Sequence, residues 1–205
     1  MSIMVKICGL TDVTEANYLN EYGADFAGMV LFFEKSKRNI TIPKAREIMS
    51  ALNPNIKKVA VTVSPTVEQA MEICKAGFDI IQIHGNMPAE VYDAITIDIW
   101  KAFNIKDMDE YETYCNMDKI TGFVFDSASP GSGLAYDRAI LSNINRTDNK
   151  LFILAGGLNP DNVADAISDI MPDVVDVSSG VEYDALRVGK DPLLIQKFIN
   201  KSKSN

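Results

Sequence analysis

Val59-Ala60-Val61-Thr62-Val63 is a near-continuous apolar run of strand length, and Ser64-Pro65-Thr66 and then Val67-Glu68-Gln69-Ala70-Met71 follow it at once. A run without polar alternation suits a strand covered on both faces, which is the condition of a parallel sheet. The Ser/Pro/Thr segment is a helix start, because a hydroxyl there can accept from the free N–H groups of the first turn. Gly77 falls where the C-cap of that helix is expected. Residues 59–77 thus read as one strand-then-helix unit. On either side of it, strand-length apolar runs recur at 3–8, 25–31, 57–63, 79–83, 97–103, 122–126, 151–155 and 174–177. Helix signals lie between them: Thr11-Asp12 and Thr14-Glu15, Gly23 as a C-cap, and Asn159-Pro160-Asp161 ahead of Asn162 to Ile170, with the proline expected in the first turn. Eight such units in 205 residues are the count of a (β/α)8 barrel. An open doubly wound sheet would ask for a glycine fingerprint after the first strand, and Gly9-Leu10-Thr11 is not GxGxxG. The expected fold is α/β, a single-domain (β/α)8 TIM barrel over residues 1–205, closed by hydrogen bonds between 3–8 and 174–177.

Composition narrows the chemistry. With 47% hydrophobic residues, a chain of this length buries about 70% of its unfolded surface without needing staples. The formal net charge of −8 works against nucleic acid or an anionic membrane as partner, since both need a basic face. It does not bar an anionic metabolite held by backbone N–H groups and one arginine. Cys8, Cys74 and Cys115 are too few and too scattered for a disulfide framework, and Cys74 and Cys115 read as helix packing residues. His84 is the only histidine, which excludes a histidine-rich metal site. No run approaches the ~18 consecutive apolar residues of a membrane span, and no secretory h-region opens the chain, so the cytoplasm is the expected compartment. The tail Lys201 to Asn205 is expected to fray.

Period-two alternation orients the strand side chains. Met4, Lys6 and Cys8 share a face, as do Ile80, Gln82 and His84, then Gly122, Val124 and Asp126, then Val174, Asp176 and Ser178. These faces point Cys8, His84, Asp126 and Ser178 inward at the rim formed by the strand C-termini. They leave Lys6, Gln82 and Asp176 deeper, as a satisfied polar network. Phe123, Phe125 and Trp100 are expected to face helices. A thiol and a carboxyl at the tips of two strands make an acid–base pair, so Cys8 and Asp126 point to proton transfer. Two glycine-containing loops, Gly156-Gly157 after the seventh run and Ser178-Ser179-Gly180 after the eighth, suit phosphate, because loops at these places in barrels commonly bind it through N–H groups.

At these residues the chain resembles phosphoribosylanthranilate isomerase. Lys6-Ile7-Cys8-Gly9-Leu10-Thr11 is similar to the family's KICG(L/I)T opening, and Lys35-Ser36 with Arg38 to its PKSPR segment. Ile81-Gln82-Ile83-His84-Gly85 resembles VQLHG, and Asp126-Ser127 with Pro130-Gly131-Ser132-Gly133 resembles D(S/T)…PGGTG. Leu154-Ala155-Gly156-Gly157-Leu158 and Asp176-Val177-Ser178-Ser179-Gly180-Val181-Glu182 match the last two signatures. The departures are Glu34 and Lys37 in place of two prolines, a shorter loop after Asp126 containing Ser132, Asn86-Met87 after His-Gly, and no proline in Tyr183 to Val188. The resemblance implies an Amadori rearrangement of an N-(phosphoribosyl)anthranilate to its 1-deoxyribulose 5-phosphate aminoketose, in tryptophan biosynthesis. It implies Asp126 as acid, Cys8 as base and Arg38 at the anthranilate carboxylate. His84 either lines the site or orients the loop through a hydrogen bond. Asp176 belongs to the inner network or touches the opened sugar. No metal and no cofactor is expected, because the substrate's own iminium is the electron sink. The partner is a phosphorylated small molecule, and the chain is a monomer or a homodimer. With two prolines missing, the loop 33–39 is expected to be among the most mobile segments without ligand and to order when a carboxylate pairs with Arg38.

Three rivals are weaker. A metal-dependent pentulose-phosphate epimerase needs several histidines. An indole-glycerol-phosphate synthase needs catalytic lysines and glutamates, and Lys101 has no matching acid set. A non-catalytic sugar-phosphate barrel has no use for both Cys8 and Asp126.

Overall fold

The computed structural model describes residues 3–104, 108, 110–126, 141, 144–147, 149–183 and 189–204. The eight expected strands are all present: β1 (Met4–Cys8), β2 (Phe26–Leu31), β4 (Lys57–Val63), β5 (Ile80–His84), β6 (Asp98–Asn104), β7 (Ile120–Asp126), β8 (Leu151–Ala155) and β9 (Val174–Val177). A two-residue strand that the apolar pattern did not announce, β3 (Asn39–Ile40), pairs with the C-terminal end of β2 outside the ring. The ring runs β1-β9-β8-β7-β6-β5-β4-β2 and closes through β1–β2, with each pairing parallel. The closing seam is the expected one, with Met4 opposite Val174 and Lys6 opposite Asp176. The result is a closed eight-stranded parallel barrel with helices between strands.

The helices form where capping chemistry starts them. In α1 (Val13–Tyr22), Asp12 accepts from the Thr14 N–H while Glu15 reaches back to the Asp12 N–H, a capping box. Thr66 and Gln69 do the same for α3 (Val67–Ala76), which ends at Gly77 in the left-handed region. The other described helices are α2 (Ile42–Ala51), α4 (Ala89–Ala94), α5 (Tyr111–Cys115), α6 (Val163–Ile170) and α7 (Pro192–Lys203). The last of these stays helical through Lys203, into the tail expected to fray, because Ser202 is buried and Lys203 donates to the Gly23 carbonyl. Cys74 and Cys115 lie in α3 and α5, as expected. Pro160 is not in the first turn of α6; it sits in a separate turn before the helix, where Asn159 and Asn162 tie the loop to itself. Glu15 also accepts from the Lys190 N–H at 2.8 Å, which links the first helix to the segment before the last.

Two apolar layers result. Outward-facing residues such as Ile7, Met29, Ile83, Phe123, Phe125 and Phe152 pack under the helices, and Phe125 stacks on Phe152 with centroids 4.4 Å apart. Inward-facing residues, among them Phe26, Val59, Ile80, Val124 and Ile153, fill the barrel. Each such aliphatic or aromatic side chain contributes about 1.5–3 kcal/mol by leaving water. Trp100 corrects the sequence reading. It is fully buried inside the barrel rather than under a helix, edge-on to Phe26 at 4.8 Å. Two causes place it there. The β6–β7 register shifts between Ile99 and Trp100. Gly122 on the facing strand also leaves room, since a Cβ there would lie 2.9 Å from the indole Cδ1 and 2.8 Å from Ile153 Cδ1. Gly122→Ala is therefore expected to overpack this layer and lower stability by about 1–3 kcal/mol, read from the denaturant midpoint at unchanged slope. An unchanged midpoint would mean that the indole can move aside without cost.

Candidate active site

The C-terminal ends of the strands surround a cavity of about 240 Å³. Cys8 at the tip of β1, His84 at the tip of β5 and Asp126 at the tip of β7 line it together. Asp176 lines it from β9, and Gly156, Gly157, Ser178 and Ser179 from the two glycine-containing loops. Most of the residues singled out from sequence thus face one space. Gly180 lies one residue past Ser179, and Arg38 stands on the rim.

The electrostatics of the cavity differ from residue to residue. Burial, together with the neighbouring Asp176 carboxylate, pushes Asp126 up to about 6 against the pull of Lys6, so it holds a proton far more readily than an exposed aspartate. Burial also pushes the Cys8 thiol up, with the Lys6 ammonium as the main opposing influence. His84 is driven down to about 4 by burial and by the Lys6 and Lys101 charges, and is therefore neutral near pH 7. Its Nε2 sits 2.9 Å from the Gln82 side-chain nitrogen; accepting that N–H places the imidazole proton on Nδ1.

The inner polar network is present but not self-sufficient. Lys6 Nζ donates to Asp176 Oδ2 at 2.8 Å, and both residues are buried. Asp176 Oδ1 and Gln82 Oε1, however, are buried with no partner among the described residues. An unpaired buried carboxylate oxygen is costly. Asp176 lines the cavity, and the open oxygen departs from the satisfied network read from sequence.

The two loops touch backbone to backbone. Gly156 and Gly157 take φ of 85° and 65°, which suits glycine alone at little cost. Gly180 lies so close to the other loop that a Cβ would stand 2.0 Å from the Leu158 carbonyl oxygen. Among the described residues, no acceptor is paired with the backbone N–H of Gly157 or Ser179. The Ser178 hydroxyl is engaged within the protein. It donates to the Cys8 carbonyl at 3.1 Å and so pins the tip of β1.

Glu182 and Lys190 meet Arg38 and Ser178 beside the cavity, and sequence reasoning gave them no role. Glu182 accepts from Arg38 Nε and pairs with Lys37 at 2.8 Å and with Lys190 at 3.2 Å. Burial would raise Glu182, but these hydrogen bonds and charges hold it at about 2. Lys190 is buried and donates also to the Ser178 carbonyl at 3.0 Å. No local pattern signalled this cluster, because two of its three cations, Lys37 and Arg38, come from a segment distant in sequence. The loop 33–39 is held by Ser36 N–H to the Phe33 carbonyl, Asn39 N–H to the Ser36 carbonyl and Phe33 N–H to Asn39 Oδ1. Arg38 lies over Gly9, and one edge of its guanidinium is taken by Glu182. The loop that resembled D(S/T)…PGGTG after Asp126, and residues 184–188, fall outside the described residues.

The N-(5'-phosphoribosyl)anthranilate isomerase family model matches residues 5–201. The chain belongs to this isomerase family. The isomerase of Listeria monocytogenes serotype 4a (strain HCC23) is 38% identical over 98% of both chains. Among solved structures, the phosphoribosyl anthranilate isomerase of Thermotoga maritima superposes with a TM-score of 0.85 at 34% identity, covering 99% of this chain and 100% of that one. A phosphoribosyl anthranilate isomerase in complex with reduced 1-(o-carboxyphenylamino)-1-deoxyribulose 5-phosphate superposes with a TM-score of 0.78 at 33% identity, with the same coverage. Isomerase membership agrees with the resemblance read from the motifs. Among the described residues, no helix is long and apolar enough to cross a membrane.

Proposed function

We propose that the chain converts N-(5'-phosphoribosyl)anthranilate to 1-(2-carboxyphenylamino)-1-deoxyribulose 5-phosphate. The observation that carries this is a single cavity with a proton-holding carboxyl, Asp126, and a thiol, Cys8, at the tips of different strands, beside two glycine-containing loops. Asp126 donates its proton to the furanose ring oxygen. The C1–O bond breaks as the anilino nitrogen supplies its lone pair, giving an iminium. Cys8 then takes the proton from C2, the electrons move into the iminium, and the resulting enolamine gives the ketone. C2 is oxidised and C1 reduced within one molecule, so the reaction is an aldose–ketose, intramolecular oxidoreductase-type isomerisation with no external oxidant. Neutral His84 adds no charge to compete with the iminium. Asp176 Oδ1 suits a sugar hydroxyl, and the N–H groups around Gly156, Gly157, Ser178, Ser179 and Gly180 suit the phosphate.

Arg38, already oriented by Glu182, keeps its remaining N–H groups for the anthranilate carboxylate. That carboxylate stays charged throughout, so Arg38→Ala is expected to raise KM about tenfold, the scale of one charged hydrogen bond, with kcat little changed. A loss confined to kcat would place Arg38 in the chemistry instead. The function itself is tested by turnover of freshly made phosphoribosylanthranilate, followed as loss of anthranilate-type fluorescence. No turnover by the intact chain would leave only a sugar-phosphate-binding barrel.

A further inference from the structure

The barrel interior holds an ammonium where an apolar side chain would cost less. Lys6 is fully buried, two residues before Cys8 on the same inward face of β1. Taking an ammonium out of water costs several kcal/mol, and even a well-made buried pair often gains nothing over packed apolar residues. Its pairing with Asp176 keeps the charge in place without explaining why a charge is there. The surroundings of Gly28 supply a reason. Gly28 is the β2 residue opposite Cys8. A Cβ on Gly28 would stand 2.9 Å from Cys8 Sγ and 3.1 Å from Lys6 Nζ, so both atoms converge on one small gap. The nearby Cys8 is one of the groups that favour the charged form of Lys6.

We propose that Lys6 is the cationic partner of the Cys8 thiolate, a positioning residue that favours the thiolate against the burial that opposes it, with Asp176 fixing and partly offsetting its charge and Gly28 keeping the gap open. When the thiol ionises its proton leaves to solvent, Lys6 keeps its own, and the thiolate is free to take the C2 proton. The other charged groups around Cys8 do not replace Lys6. Asp176 on β9 opposes the thiolate. Lys190 favours it from the far side of Ser178, but its charge is shared with Glu182. Arg38 above Gly9 is likewise engaged by Glu182. Asp126 on β7 and neutral His84 on β5 bring no cation.

The role in turnover rests on Cys8 being the base, so the test reads the thiolate without turnover. In a background with Cys74 and Cys115 changed to Ser, the rate of Cys8 alkylation by iodoacetamide is followed against pH by peptide mass. The thiolate forms the S–C bond and iodide leaves. Lys6→Met is expected to move the midpoint upward by about one pH unit or more, a tenfold loss of thiolate at neutral pH. Gly28→Ala changes no charge but forces the two atoms apart, and is expected to move the midpoint the same way. Asp176→Asn is expected to lower it. A Lys6 that served only to brace the barrel would, when removed, admit water and lower the midpoint or leave it unchanged, and either result overturns the proposal. If Lys6→Met does not fold, as judged by circular dichroism, Gly28→Ala decides in the same way, since a static midpoint there overturns it. Shifts of the expected sign in a protein without isomerase activity would sink the functional reading and keep the pairing.

Discussion

Cys8→Ala and Asp126→Asn are each expected to lower kcat by at least ~10²-fold, the usual scale for losing a general acid or base. Binding of an inorganic phosphate or sugar-phosphate analogue should survive both changes, because neither residue belongs to the glycine-containing loops. The pH profile sharpens the test. The proposed roles need Asp126 protonated and Cys8 ionised, yet Asp126 gives up its proton at about 6 while burial holds the Cys8 thiol protonated beyond its ordinary range. Between these two values each unit of pH gains thiolate tenfold and loses protonated Asp126 tenfold, so kcat/KM is expected to be level. Below about pH 6 Asp126 is already protonated and only the thiolate keeps falling, so kcat/KM drops. In Asp126→Asn the compensation is gone, and residual activity should climb with pH across the whole range up to the thiol's own titration. A mutant that keeps the level region would show that Asp126 is not the acid, and full turnover by Cys8→Ala would falsify the role given to the thiol.

Gly180→Ala is expected to cost on the order of 10²-fold in kcat/KM with a phosphorylated substrate. The added methyl would stand 2.0 Å from the Leu158 carbonyl oxygen and 2.9 Å from Asn159 Cβ, and backbone cannot give way there as the end of a flexible side chain can. One loop must move away from the other, and a displacement of about 1 Å in a positioning element is enough for a loss of that size. The damage should appear mainly in phosphate affinity, measured by competition with inorganic phosphate, and as about 1–3 kcal/mol of lost stability. An alanine variant with wild-type phosphate competition would show that the two loops need not touch to hold the anion.

Much of this barrel was written in local pattern. Apolar runs such as Val59 to Val63 and Val174 to Val177 named the strands, and the segments Thr11-Asp12, Thr14-Glu15 and Ser64-Pro65-Thr66 named helix starts, because capping and burial of a continuous strand are decided by a few neighbouring residues. Period-two parity then placed Cys8, His84, Asp126 and Asp176 on inward faces, and all four line the cavity. Trp100 shows the limit: parity tells which residues share a face, but not which face turns inward when a register shift and a facing glycine intervene. β3 was missed because two residues carry no period.

The closing seam was legible, but most individual side-chain pairings were not. Glu182 gathers Lys37, Arg38 and Lys190, Ser178 spends its hydroxyl on the Cys8 carbonyl, and Lys6 and Cys8 meet over Gly28. These contacts join residues as much as 170 positions apart. Local pattern was enough for the eightfold repeat, the inward residues and the two glycine-containing loops, because each depends on short-range periodicity and backbone permissiveness. The partners and the proton affinities waited on the folded barrel, because both depend on distances and burial that exist only once it closes.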